Sequence, residues 1–102
     1  MAKFCAFGEL LCDVTPYGIS DRGFPIYEFN PGGAPANVAV ALRNLGIEAS
    51  FMGQVGNDHF GQFLRDTLVS KQVDVDTLLM SDAYPTSLAI VSNKEDGDRS
   101  FS

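Results

Sequence analysis

The chain has 102 residues, a length that suits one domain, and its 45% hydrophobic and 20% charged residues are ordinary for a globular protein. Seven basic and thirteen acidic residues give a net charge of −6. This charge argues against nucleic acid or an anionic membrane surface as a partner, because both bind basic faces. The sequence has no signal-peptide pattern and no apolar run long enough to span a bilayer, so we expect a cytoplasmic protein.

The first predicted element is a near-continuous apolar run over residues 4–14. Such a run predicts one strand buried on both faces, as in a parallel sheet covered by helices, and Gly8 within it indicates a bend. Asp13 stands at the end of the run, where open α/β sheets place their ligand sites. Its carboxylate could accept hydrogen bonds from two neighbouring hydroxyls, but a solvated turn aspartate explains the position equally well.

The two cysteines, Cys5 and Cys12, fall in this first run, and we expect both to be buried, reduced thiols. In one extended strand their seven-residue spacing would hold them about 23 Å apart, too far for a disulfide. The only histidine, His59, is remote in sequence. We therefore predict no metal site and expect His59 to face solvent.

Residues 15–31 begin with turn-forming residues, and the alternation that follows predicts a short, half-buried strand leading into Gly32. A helix is predicted directly after the glycine pair Gly32 and Gly33. Pro35 suits its first turn, because the N–H that proline lacks has no intrahelical partner there. Gly46 is the predicted end of this helix. Its buried stripe is expected to consist of Val38, Leu42 and Leu45.

The start of this helix is the main candidate for a binding site. The glycines have no side chains, so a ligand can approach the backbone closely. The first N–H groups of a helix favour a polar or anionic group, and Asn37 adds an amide that both donates and accepts. These features suggest a small polyhydroxylated ligand, although a tight turn before a helix would have the same glycine pair.

The remaining residues alternate between strand and helix patterns. Residues 49–56 predict a second buried strand, and Asp58 is the predicted N-cap of a helix. The apolar side of that helix is expected to consist of Phe60, Phe63, Leu64 and Leu68 or Thr67. We predict short strands near residues 78–80 and 87–92, an Asp-Gly hairpin turn at 95–98 and a returning strand from Arg99. This order predicts a parallel sheet.

Two motifs resemble the N-terminal signature of the ribokinase-like (PfkB) carbohydrate kinases. They are Gly-Gly-Ala-Pro-Ala-Asn-Val-Ala-Val-Ala at residues 32–41, followed by Leu-Gly, and Gly-x-x-Gly-x-Asp-x-x-Gly at residues 53–61. In its Gly-Gly-Ala-Pro-Ala-Asn form the sequence is most similar to fructokinases. The resemblance implies the N-terminal part of a ribokinase-like three-layer α/β fold, a parallel sheet with helices and a small β-sheet lid. The core would take roughly residues 1–14 and 32–82, and the lid roughly 15–31 and 85–102.

The resemblance also implies roles for individual residues. Asp13, Gly32, Gly33 and Asn37 match positions that orient the sugar. Arg99 could reach a ligand across the lid, although a surface position is the more common one for an arginine on a hairpin.

The implied activity is ATP-dependent, Mg²⁺-assisted phosphorylation of a sugar hydroxyl. Fructose is the implied sugar, because ribose-type members carry lysine where Ala34 stands. The family's second signature, an Asp-Thr-x-Gly-Ala-Gly-Asp type stretch with the catalytic aspartate and the anion hole, is absent from these residues. We therefore expect no catalytic residue and no metal ligand here, ATP and Mg²⁺ bound mainly elsewhere, and a chain that alone is inactive and prone to associate. A homodimer through the lid strands is a further expectation. The alternatives are a kinase for 2-keto-3-deoxygluconate, ribose or a nucleoside, and a sugar-binding module without catalysis.

Overall fold

A computed structural model describes the backbone of residues 3–93 and 99–101 and the side chains of residues 4–90. The elements follow one another in the order β1 (Lys3–Phe7), β2 (Leu11–Ile19), β3 (Pro25–Gly32), α1 (Ala34–Asn44), β4 (Glu48–Gly56), α2 (His59–Ser70), β5 (Leu78–Ser81), β6 (Leu88–Asn93) and β7 (Arg99–Phe101).

The strands form two sheets. The three-stranded sheet has the order β1-β4-β5 and is entirely parallel, which confirms the prediction of a parallel sheet. The four-stranded sheet has the order β3-β2-β6-β7. In it, β2 runs antiparallel to β3 and parallel to β6, and β6 runs antiparallel to β7. Helix α1 packs on β1 and β4, and α2 contacts β4 and β2, so α2 touches both sheets.

The apolar run over residues 4–14 is two strands, and the prediction of a single strand is wrong. The chain leaves the three-stranded sheet at Gly8, which has a φ of +140° and confirms the predicted bend, and enters the four-stranded sheet at Leu11. Strand β2 also continues to Ile19, through residues that were expected to form a turn. Apolar character is continuous across the break because both strands have buried faces. Asp13 therefore lies inside a strand of the four-stranded sheet and not at the end of a core strand.

Helix α1 has the predicted limits but a different buried face. Pro35 lies in its first turn, and Gly46 follows it with a φ of +82°. Ala36 and Ala39 are its buried residues, whereas Val38 and Leu45 are 46% and 75% exposed. Of the predicted stripe, only Leu42 packs against the core, and it is partly buried. Small side chains allow the helix to lie close to β1 and β4, and a search for large apolar residues overlooks such a face.

The core lies between the three-stranded sheet and the helices. Its largest fully buried side chains are Phe51, Leu64, Leu68 and Cys12. Leu64 and Leu68 belong to α2, and Phe60 and Phe63 pack against them, which confirms the predicted apolar side of that helix. Cys12 is buried as expected, but Cys5 is exposed, because it lies on the face of β1 opposite the buried Ala6. His59 is exposed, as predicted.

The later strands confirm the predictions near residues 78–80 and 87–92, and β7 confirms the returning strand. The predicted Asp-Gly turn at residues 95–98 lies outside the described residues. In the part of the chain that the structure describes, neither helix is both long enough and apolar enough to cross a membrane.

Candidate functional site

Polar side chains of the four-stranded sheet gather on one of its faces, and the other face is apolar. Asp13 pairs with Asn30 across β2 and β3, and the Asn30 Nδ2 donates to Thr15 Oγ1 at 3.2 Å. Because strand side chains alternate between faces, these residues lie on the face opposite Cys12. On the Cys12 side, the rings of Phe29 and Phe60 lie 5.1 Å apart between β3 and α2. The polar face, which carries the partly buried Asp13, is therefore the candidate site.

Asp13 lies directly against Gly32. A Cβ atom built on Gly32 would lie 2.5 Å from Asp13 Oδ2 and 2.9 Å from Leu11 Cδ1. Gly32 is buried, and its role is to leave room for these two side chains. No other described residue forms a hydrogen bond with the Asp13 carboxylate. An acceptor held in place and left without a donor is suited to bind hydroxyl groups.

Gly33 caps the N-terminus of α1 beside this carboxylate. Its φ is +113°, and a Cβ atom on it would overlap the carbonyl oxygen of Glu9. The cap makes no side-chain hydrogen bond, and the first turn holds no acidic residue. The N–H groups at the start of α1 thus have no carboxylate of their own helix to bind. The structure brings Asp13, Gly32 and Gly33 together, and Glu9 contributes its backbone there.

Asn37 lies on α1 one turn from this cluster, and Arg99 lies on β7. Asn37 lies at the end of the first turn of α1, with an exposed side chain that forms no hydrogen bond to another described residue. Its backbone N–H donates to Gly33 O at 3.2 Å. Arg99 pairs with Asn93, four residues along β6 from Ala89, the partner of Asp13. That offset is about 13 Å along the strand, so the backbone does not bring Arg99 beside Asp13.

Sequence reasoning missed a second polar cluster, at the end of β4. Asp58 is the predicted N-cap of α2, and its Oδ1 accepts from Gly61 N at 2.7 Å. The same carboxylate also accepts from Thr86 Oγ1 at 2.6 Å and from Thr86 N at 3.0 Å. These hydrogen bonds, those of Thr86 first, hold the pKa of the Asp58 carboxyl below its ordinary value. The second sequence motif gave a partial indication of this cluster, because two of its glycines, Gly56 and Gly61, pack tightly around it.

The described residues do not form a metal site. Among the described side chains, no group of three or more His, Cys, Asp or Glu residues lies close enough together to hold an ion. A cavity of about 310 Å³ opens beside Asp58, but Asp58 and Asp82 supply its only carboxylates.

Comparison with known proteins gives a consistent result. The family model described as pfkB family carbohydrate kinase matches residues 1–102. A fructokinase of Klebsiella pneumoniae is 47% identical over 99 residues, which are 97% of this chain and 31% of that protein. The chain spans less than a third of the length of the curated relatives it matches.

Solved structures agree with the curated relatives. Fructokinase from Vibrio cholerae O395 in apo form superposes with a TM-score of 0.87 at 39% identity, over 100% of this chain and 33% of that one. The same enzyme has also been solved with fructose, ADP and calcium ion bound. Fructokinase with bound ATP from Xylella fastidiosa superposes with a TM-score of 0.88 at 37% identity, over 98% of this chain and 32% of that one.

Proposed function

Since the chain belongs to the pfkB family of carbohydrate kinases, we propose that the protein transfers a phosphoryl group from ATP to a hydroxyl group of fructose. Fructose is favoured because similar curated relatives and similar solved structures are named fructokinases. The observation that carries the proposal is the Asp13 carboxylate, held against Gly32 beside the first turn of α1 and without a hydrogen bond from any other described residue.

The role of these residues is to bind and orient the sugar. Asp13 accepts hydrogen bonds from two neighbouring sugar hydroxyls, and the first amides of α1, beside Gly32 and Gly33, donate to sugar oxygens. Asn37 adds a donor and an acceptor from the first turn. Arg99 is less well placed to bind the sugar, because a ligand bound at Asp13 would have to extend past β6 to reach it.

The four-stranded sheet acts as a lid over the sugar, and the three-stranded sheet with its helices belongs to the core. The core takes roughly residues 1–10 and 32–82 and the lid roughly 11–31 and 85–102, with the first boundary moved from residue 14 to Leu11, where β2 enters the four-stranded sheet. Such a lid would exclude water from the transferring phosphoryl group and so limit wasteful hydrolysis of ATP.

We place ATP and Mg²⁺ mainly outside the described residues, which hold no group of three or more side chains suited to a metal ion. The sequence also has no glycine-rich phosphate loop of the Gly-x-x-x-x-Gly-Lys-Ser/Thr kind. No step of phosphoryl transfer is therefore assigned to a residue of this chain. The 102-residue chain alone is expected to show no turnover.

The protein further pairs with a second copy through its lid strands. β3 and β7 are the outer strands of the four-stranded sheet, and apolar side chains on its Cys12 side remain partly exposed, among them Phe29 at 45%, Leu88 at 39% and Ile90 at 44%. Light scattering on the protein at its full encoded length should give the mass of a dimer. A monomer at micromolar concentration would refute this pairing.

The test of the activity is a coupled ADP-release assay on the protein at its full encoded length. The expected result is the highest kcat/KM with fructose, compared with ribose, 2-keto-3-deoxygluconate and adenosine. Highest activity with one of the other three would indicate a kinase for that compound and refute fructose as the substrate. Sugar binding in calorimetry without ADP release would instead indicate a binding module.

A further inference from the structure

Three segments connect the two sheets. The first two contain glycines with positive φ, Gly8 at +140° and Gly33 at +113°. The third, residues 82–87, leads from β5 to β6 and contains no glycine. Its Thr86 is only 6% exposed and lies against the end of β4 and the start of α2. The third connection is therefore fixed by side-chain hydrogen bonds and not by backbone geometry.

We propose that Asp58 is a positioning residue for the Asp13 site: by holding Thr86, it fixes β6 beside β2 and so sets the position of the Asp13 carboxylate. The part of this inference that concerns substrate rests on the proposed function. The part that concerns the structure does not, and the two can be measured separately.

The first step is the hold on Thr86. Both oxygens of the Asp58 carboxylate are used, Oδ1 by the Thr86 hydroxyl and Oδ2 by the Thr86 N–H. The hydroxyl oxygen in turn accepts from Gly56 N at 3.0 Å, which ties Thr86 to the last residue of β4. A Cβ atom on Gly56 would overlap Thr86 N, and one on Gly61 would overlap Gly56 O. The three segments are thus in close contact at Gly56, Gly61 and Thr86.

The second step leads from Thr86 to Asp13. The next residue, Ser87, accepts a hydrogen bond from Cys12 N at 2.9 Å. From there β6 and β2 run in parallel, with Cys12 paired to Leu88 and Asp13 paired to Ala89. Two peptide units and one hydrogen bond thus separate Thr86 from Asp13. A shift of Thr86 must be transmitted to the strand that carries the sugar-binding carboxylate.

Asp58→Asn separates this role from capping of α2, because Asn caps a helix about as well as Asp. An amide has one acceptor oxygen, so when that oxygen keeps the hydrogen bond from Gly61 N, the NH₂ group faces the N–H of Thr86. Thr86→Val removes the hydroxyl group, whereas Thr86→Ser retains it. Thr77→Val is the matched control, because it removes a hydroxyl that donates to Phe51 O at 3.0 Å within the three-stranded sheet.

The experiment measures amide hydrogen exchange and steady-state kinetics on the protein at its full encoded length. Asp58→Asn and Thr86→Val should accelerate exchange of the Cys12 amide by roughly 5- to 150-fold, the range expected when a buried donor loses its partner. The amides that form hydrogen bonds between β1 and β4 should be accelerated less than the Cys12 amide. Sugar KM should rise with little change in the KM for ATP. Thr86→Ser and Thr77→Val should leave both the Cys12 exchange rate and the sugar KM near wild type.

Three results would overturn the inference. Unchanged exchange at Cys12 in both variants would show that Asp58 does not hold β6, and equal acceleration between β1 and β4 would show a general loss of stability. Accelerated exchange with an unchanged sugar KM in an active kinase would refute the positioning of the site. A wild-type protein that phosphorylates no sugar would refute the proposed function, and the exchange rates would still decide whether Asp58 holds β6.

Discussion

Replacement of Gly33 by alanine provides the sharpest test of the geometry at the start of α1. Two separate costs act at this position. A φ of +113° is rarely adopted by residues with a Cβ atom, and such strain costs about 1–3 kcal/mol. The new Cβ atom would also overlap the backbone oxygen of Glu9, which is not the flexible end of a side chain. Forcing an extra methyl group into such a contact costs about 1–3 kcal/mol more. Together they give about 2–6 kcal/mol.

Gly46→Ala is the matched control. Gly46 also has a positive φ, +82°, but no atom lies within 4 Å of a Cβ atom built on it. It therefore isolates the conformational cost, about 1–2 kcal/mol. Urea unfolding of the protein at its full encoded length, followed by circular dichroism, gives both free energies of unfolding. If Gly33→Ala is no more destabilising than Gly46→Ala, then the backbone at Glu9 shifts to accept the methyl group without a measurable free-energy cost. The close packing beside Asp13 would then not contribute to stability.

Three further predictions concern single side chains. Asp13→Ala should raise sugar KM by about 10- to 150-fold with little change in the KM for ATP, since one charge-assisted hydrogen bond contributes about 1.5–3 kcal/mol; an unchanged sugar KM removes Asp13 from the site. Asn37→Leu should weaken sugar binding in calorimetry without lowering Tm, because its side chain is exposed and forms no hydrogen bond to another described residue; a large drop in Tm would assign it a structural role. The pKa of the Asp58 carboxyl in the folded protein lies below its ordinary value of 3.8. The ionised carboxylate therefore stabilises the fold at pH values above 3.8, and this contribution is lost as the pH falls through the folded-state pKa. The stability difference between wild type and Asp58→Asn, measured by urea unfolding, should therefore shrink below pH 4, and a constant difference from pH 7 to pH 3 would contradict this.

Local signals in the sequence predicted the elements that depend on local chemistry. Pro35 and Gly46 mark the limits of α1, and Asp58 marks the start of α2, because caps and breakers act within one turn of a helix. The division of the first apolar run was not predicted, since a residue buried in either sheet has the same apolar character. The buried alanine face of α1 was not predicted for a related reason, because the buried side of an amphipathic helix is recognised by its large apolar side chains.

The candidate site shows the same limit. Asp13 was singled out by its residue type and by resemblance, but its contact with Gly32 depends on how β2 and β3 pair. The hydrogen bonds between Asp58 and Thr86 join residues 28 positions apart in sequence. No periodicity or spacing rule records such a contact, so only the folded chain could reveal it.

The separation of Cys5 and Cys12 onto different sheets supplies a chemical reporter of motion between β2 and α2. Cys12 lies next to Asp13 on β2 but on the opposite face of the sheet, and it is 0% exposed. Burial raises the pKa of its thiol, so it reacts slowly while β2 stays packed on α2. Cys5 is exposed on β1. The rate at which an alkylating reagent modifies Cys12, divided by its rate with Cys5, therefore measures how often β2 separates from α2. A probe of that motion is thus already present in the native sequence.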